Sequence, residues 1–208
     1  RIHAVFPDHG LVMEESPEIE SGSPFRWIID PLDGTTNYAH RFPVFCVSIA
    51  LEYARECLLG VIYNPMMDEL FVARKGAGAM LNGERIRVSV TDAITRSLLA
   101  TGFPYDIRES RENNIAYFIT MARRAQAIRR AGSAALDLAY VAAGRFDGFW
   151  ELKLMPWDTA AGCLMVREAD GRVTDLQGGP FTLDVPHVLA SNGRIHEEMI
   201  GILQEAQS

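Results

Sequence analysis

Trp27-Ile28-Ile29-Asp30-Pro31-Leu32-Asp33-Gly34-Thr35-Thr36-Asn37 is the stretch from which the rest of the 208-residue chain can be read. An apolar strand delivers Asp30 at its end, Pro31 stops that strand from continuing as a central ladder, and Asp33 follows in a turn opened by Gly34. Two carboxylates then converge on one point. Gly34-Thr35-Thr36 offers backbone amides and hydroxyls just beyond them, a donor cluster of the kind that holds phosphate. Carboxylates beside phosphate donors repel an anionic substrate unless a hard divalent cation lies between. Mg²⁺ does so, binding through carboxylates, a carbonyl and waters while bridging to phosphate oxygens. Asp-Pro-x-Asp-Gly is also ordinary turn chemistry, but the Thr-Thr after it and the apolar strand before it favour a site.

Outward from this window the first half reads as β. Residues 1–25 carry Pro7, Pro17 and Pro24 and read as strand and loop. Val44 to Tyr53, Leu58 to Tyr63, Glu69 to Ala73 and Ala79 to Leu81 follow as strands, separated by Asn64-Pro65, Gly76/Gly78 and Asn82-Gly83 turns. Such regular spacing predicts an antiparallel meander. Ser97 to Gly102 reads as a further strand and Arg111 to Gln126 as a helix, with Ile115, Phe118, Ile119 and Ala122 on one face. In the second half, helices at Ala134 to Ala143, Asp158 to Ala169 and Ile195 to Gln207 alternate with strands at Phe146 to Glu151, Arg172 to Leu176 and Val188 to Ser191, and Asp158 is placed to cap its helix. Strands grouped first, then helices alternating with strands, favour a layered α+β fold over a doubly wound parallel sheet.

Composition narrows the function. Lys+Arg 20 against Asp+Glu 27 leaves a net charge of −7 with no basic run, which argues against nucleic-acid binding as the main role. A hydrophobic fraction of 48% excludes disorder. The longest apolar runs are strand-length, too short for a membrane span. Cys46, Cys57 and Cys163 sit at unrelated spacings inside apolar runs and read as buried thiols of a reducing compartment, so the expected location is cytoplasmic. Phe103 and Tyr105 read as core or interface residues.

A metal site needs more than two ligands. Glu14-Glu15, after Leu11-Val12-Met13, and Asp158, in Pro156-Trp157-Asp158-Thr159-Ala160-Ala161-Gly162, are the candidates. The alternative for the glutamates is a solvated loop. For Asp158 it is a simple helix cap, which is compatible with ligation because one carboxylate oxygen stays free. Taken together, the two aspartate windows resemble the paired signature of the inositol monophosphatase family of Mg²⁺-dependent, Li⁺-sensitive phosphatases. Glu14-Glu15-Ser16 resembles that family's first metal motif, and Gly132-Ser133-Ala134-Ala135 its substrate-side loop. The similarity runs from about His9 to the final helix. Met13 stands where the family commonly has Gly.

The resemblance implies a layered α/β/α/β/α sandwich of the inositol monophosphatase/fructose-1,6-bisphosphatase type, a homodimer, and a small-molecule phosphate ester as partner. It assigns Glu14, Asp30 and the Leu32 carbonyl to one Mg²⁺ and Asp30, Asp33 and Asp158 to a second. Catalysis falls to Glu14, Asp33 and Thr35, with Thr35 and Glu14 polarising the attacking water. Phosphate contacts fall to the amides of Gly34 and Thr35, with Asp33 and Asp158 beside them. Gly132, Ser133, Ala134 and Glu151 are assigned to the polyol side, with Arg129 or Arg130 nearby. The family's two opening helices, and a mobile loop associated with a third Mg²⁺, have no counterpart here, so a single domain over residues 1–208 without N-terminal helices is expected. The implied reaction is hydrolysis of inositol 1-phosphate. Fructose 1,6-bisphosphate, a 3′-phosphoadenosine nucleotide and histidinol phosphate are alternative substrates, and a non-catalytic interaction module on the same scaffold is the alternative of a different kind.

Overall fold

The computed structural model describes residues 1–206. These begin with a single helical turn, α1 (Ile2–Val5), and a short pair of strands, β1 (Gly10–Met13) and β2 (Ser16–Ile19). β3 (Phe25–Asp33) carries the aspartate window and leads through Gly34 into α2 (Thr35–Ala39). The meander is β4 (Cys46–Tyr53), β5 (Glu56–Asn64), β6 (Glu69–Arg74), β7 (Gly78–Leu81) and β8 (Glu84–Ile86). It pairs antiparallel in sequence order from β3 to β8, as the turn spacing predicted; β1 adds parallel to β3, and β2 closes that edge. Pro17 is tolerated in β2 because the strand is a fully exposed edge.

The second half supplies β9 (Leu98–Thr101), α3 (Ile115–Ala122), β10 (Ala127–Arg129), α4 (Ala134–Ala142), β11 (Gly148–Glu151), α5 (Pro156–Glu168), β12 (Arg172–Thr174), β13 (Val188–Ser191) and α6 (His196–Glu205). Its strands form a mixed five-stranded sheet in the order β10-β9-β11-β13-β12. α3 is shorter than the expected 111–126, because Ser110 and Asn113 side chains fold the preceding residues into local turns and the chain after Arg124 extends into β10. β8 and β10, at three residues each, are too short to register as periodicity. The expected end of the last helix, Gln207, lies outside the described residues.

Alternation along β11 shows how the layers are glued. Phe149 faces the core shared with the large sheet, α4 and α5, whereas Trp150 faces a second core with α3 and α6 residues such as Met121, Met199 and Leu203. α4 and α5 pack on each other between the sheets, and α3 and α6 cover the far face of the small one. Gly60 of β5 allows close packing, since a Cβ there would lie 2.8 Å from the Ala161 carbonyl oxygen of α5. The order among the described residues is therefore sheet, helix pair, sheet, helix pair. The opposite face of the large sheet, with Ile29, Ile49, Leu59, Val61 and Val72, is partly exposed and carries no helical layer among these residues.

Two expectations are corrected at the level of local structure. Pro31 does not end β3, which runs on to Asp33. Asp30 pairs with Ser48 but Asp33 with Cys46, so three steps on β3 match two on β4 and the ladder carries a one-residue bulge across Pro31-Leu32. The missing amide of Pro31 is accommodated there. Asp158 is not the N-cap of its helix either: α5 starts two residues earlier at Pro156, whose fixed φ suits the first helical position.

Candidate active site

Residues three apart on a regular strand face opposite sides of a sheet. The bulge cancels that odd step and turns both Asp30 and Asp33 inward, to 2% and 8% exposure. Asp158, from the first turn of α5, completes the group, and one carboxylate oxygen of each lies within 4.8 Å of the others. Each acid spends one oxygen on the protein. Asp30 Oδ1 accepts from the Leu32 amide at 2.8 Å, and Asp158 Oδ2 from the Met155 amide at 2.7 Å. Asp33 Oδ2 accepts from the Ser133 hydroxyl at 2.6 Å and the Ala135 amide at 2.8 Å, with the Cys46 thiol at 3.7 Å. The second oxygens carry no protein hydrogen bond among the described residues.

Three carboxyl groups so close cannot ionise independently. Burial and then the charge of Asp33 push Asp30 up to about 8. Burial likewise lifts Asp158 to about 7 against its Met155 hydrogen bond, with Asp33 and Glu14 adding to the rise. Burial raises Asp33 too, opposed by Ser133, Ala135 and Cys46. Glu151, at the end of β11, is pushed to about 8 by burial and by Asp158 and Asp33, with Arg130 pulling the other way.

The cleft has two adjoining hollows of about 120 and 100 Å³. Both are lined by Asp33, Gly34, Thr35, Glu151 and Asp158; Glu14, Asp30 and Leu32 line one end, and Gly132, Ser133 and Ala134 the other. Glu14 is exposed at the rim, and the Thr35 hydroxyl donates to the Leu32 carbonyl at 3.0 Å. The fold thus gathers nearly every residue singled out in the sequence. Arg129 and Glu15 are the exceptions: Glu15 is exposed outside the cleft lining, and Arg129 is exposed on β10 with its guanidinium donating to the Ile128 carbonyl, while Arg130 lines the cleft. Neither Phe103 nor Tyr105 is core; both stand at the lip of the cleft.

Sequence reasoning missed supporting residues. Asn37 Nδ2 donates to the Val44 and Ala131 carbonyls, 2.8 Å each, and so ties the aspartate window to the Gly132 loop. Its place in the aspartate window was the available signal. Cys46 touches both Asp33 and Ser133, which nothing in its apolar run announced. A larger hollow of about 240 Å³, lined by Cys57, Cys163 and Arg167, shares none of these residues; burial pushes both thiols to about 12, so neither ionises near neutrality.

The model of the inositol monophosphatase family matches residues 1–208. The chain belongs to the inositol monophosphatase family. Within it, the Synechocystis inositol-1-monophosphatase is 48% identical over 194 residues, covering 93% of this chain and 68% of that protein. The Escherichia coli K12 protein named Nus factor SuhB is 44% identical over the whole chain and 78% of its own length. The structure of inositol monophosphatase from Anabaena superposes with a TM-score of 0.95 at 46% identity, over 98% of this chain and 81% of that one. Membership of the inositol monophosphatase family supports phosphatase activity. No helix among the described residues is long and apolar enough to cross a membrane.

The raised carboxyl groups set a pH dependence for the metal-free protein. Above about pH 4 the unfolded chain has released protons that Asp30, Asp158 and Glu151 still hold when folded, so stability falls as pH rises, until these groups ionise near 7 to 8. Thermal melts in chelator should therefore give a lower Tm at pH 8 than at about pH 5. A higher Tm at pH 8 in chelator would contradict the burial of these acids.

Proposed function

We propose that the chain is a Mg²⁺-dependent phosphatase whose preferred substrate is myo-inositol 1-phosphate. The observation that carries this is the convergence of Asp30, Asp33 and Asp158, each with an oxygen free, beside Gly34 and Thr35. The donor set is all oxygen, which fits a hard divalent cation, and the acids are held far above their ordinary carboxylate range without one. Glu14 and the Leu32 carbonyl would join the three aspartates in holding two such ions. When bound, they supply Lewis acidity toward water and toward the leaving oxygen.

The chain's own groups do the positioning. The Thr35 hydroxyl is oriented by its bond to the Leu32 carbonyl, so its lone pairs and the Glu14 carboxylate are available to a water on that side. Backbone amides of Gly34 and Thr35 hold phosphate oxygens in line. Ser133 caps α4 and bonds Asp33, fixing the acid against the polyol end of the cleft. Glu151 accepts a polyol hydroxyl, and Arg130 offsets part of its charge.

The test is a panel of phosphate esters in Mg²⁺, read as kcat/KM. Inositol 1-phosphate should exceed fructose 1,6-bisphosphate, a 3′-phosphoadenosine nucleotide and histidinol phosphate, with inhibition by Li⁺. A higher value on any of the other three would replace the substrate assignment. The relatives named Nus factor favour a second reading, in which the folded chain also acts as a protein-binding scaffold. Asp158→Asn separates the two, since it removes the chemistry and leaves the outer surface unchanged; if partner binding is lost with activity, the scaffold reading fails.

A further inference from the structure

Phe103, Pro104 and Tyr105 leave the end of β9 and form a lip over the cleft. Tyr105 is 96% exposed, yet it lines both hollows. The charges of Glu14, Asp158, Asp33 and Glu151 all reach its phenol. No protein group among the described residues hydrogen-bonds it.

The loop behind this ring is strapped down. Lys153 Nζ donates to Asp106 Oδ2 and to Ser110 Oγ, 2.7 Å each. Lys153 itself sits in the left-handed region at φ 58, with its amide on His187 Nδ1 at 3.2 Å, a conformation that costs a non-glycine residue free energy and persists only where surroundings enforce it. Because Lys153 lies two residues beyond Glu151, the strap fixes Tyr105 relative to that carboxylate. The start of the loop is pressed against it as well, since a Cβ on Gly102 would overlap the Glu151 carboxyl group.

An aromatic face held in water over a polar cleft gains contact area only when a ligand presents C–H groups to it. Glu151 offers the opposite chemistry, an acceptor for O–H groups. A saturated ring bearing hydroxyls presents both, and an acyclic polyol has no rigid C–H face. We propose that Tyr105 is a specificity-determining residue that covers the C–H face of a cyclic polyol phosphate, selecting ring-shaped esters over acyclic ones. This deepens the phosphatase reading above and rests on it.

Tyr105→Ala and Tyr105→Phe should be compared with the unaltered chain on inositol 1-phosphate and on acyclic glycerol 2-phosphate. Tyr105→Ala is expected to lower kcat/KM roughly tenfold on the cyclic ester, mainly through KM, and less than about twofold on the acyclic one. Tyr105→Phe keeps the ring and should stay within about twofold on both. An equal loss on both esters, no loss on either, or a loss in Tyr105→Phe matching that in Tyr105→Ala would overturn the proposal. If the unaltered chain hydrolyses neither ester, the phosphatase reading itself falls.

Discussion

Asp158→Asn and Asp30→Asn are each expected to lower Mg²⁺-dependent phosphate release about a thousandfold or more. The amide keeps the shape of the carboxylate and an oxygen for the Met155 or Leu32 backbone donor, so α5 still starts at Pro156 and the bulge still closes. What it removes is charge. One carboxylate oxygen of each aspartate lies within 4.8 Å of the others, and replacing one acid by a neutral group would weaken both the proposed cation binding and the field acting on the phosphate. In chelator the same change relieves repulsion between buried acids, so the variants should melt no lower than the unaltered chain near pH 8. Phosphate release, circular dichroism and Tm measured together decide the matter. Substantial activity in both variants would remove the metal assignment.

Gly34→Ala is expected to be nearly as damaging for a steric reason. Gly34 sits at φ 95, and a Cβ there would lie 2.8 Å from the Val44 carbonyl oxygen and 3.2 Å from the Phe45 Cα. Both obstacles are backbone and cannot rotate away. The turn must shift, taking Asp33 on one side and Thr35 on the other. A displacement near 1 Å of groups that position a reacting centre costs about a hundredfold in rate. Backbone strain adds a stability loss of about 1–3 kcal/mol. A variant with kcat/KM within twofold of the unaltered chain would show that the turn tolerates a side chain.

The antiparallel meander of the large sheet was legible because its signals are local: apolar runs of strand length with Asn-Pro, Gly and Asn-Gly punctuation between them. The acid cluster was legible through the resemblance of two short windows. How the chain brings Asp30 and Asp33 to one side was not. Pro31 was read as a stop, whereas it occupies a bulge, and a bulge depends on the partner strand, which supplies Ser48 and Cys46 two residues apart. The start of α5 was misplaced for a related reason, since Asp158 is a good cap by residue type and Pro156 a better first helical residue by φ. Arg129 ends the three-residue strand β10 and Arg130 lies just beyond it, so only the path of the chain after the strand tells which one lines the cleft. Tyr105 had no pattern at all, because a residue of a loop whose Asp106 is held by Lys153 from nearly fifty positions away leaves no periodic trace.

The hydrogen bonds of Asp33 have a consequence for how the chain acquires its activity during synthesis. Asp33 is tied to Ser133 and Ala135, about a hundred residues downstream, and its neighbour in the cluster, Asp158, is made later still. The meander strands leave the ribosome well before any of these partners exist. A nascent chain can pair β3 with β4 early, but it cannot assemble the three-aspartate cluster until α5 has emerged and docked between the sheets. Completion of the three-aspartate cluster is therefore a late event in biogenesis, reached only once both halves of the chain have met.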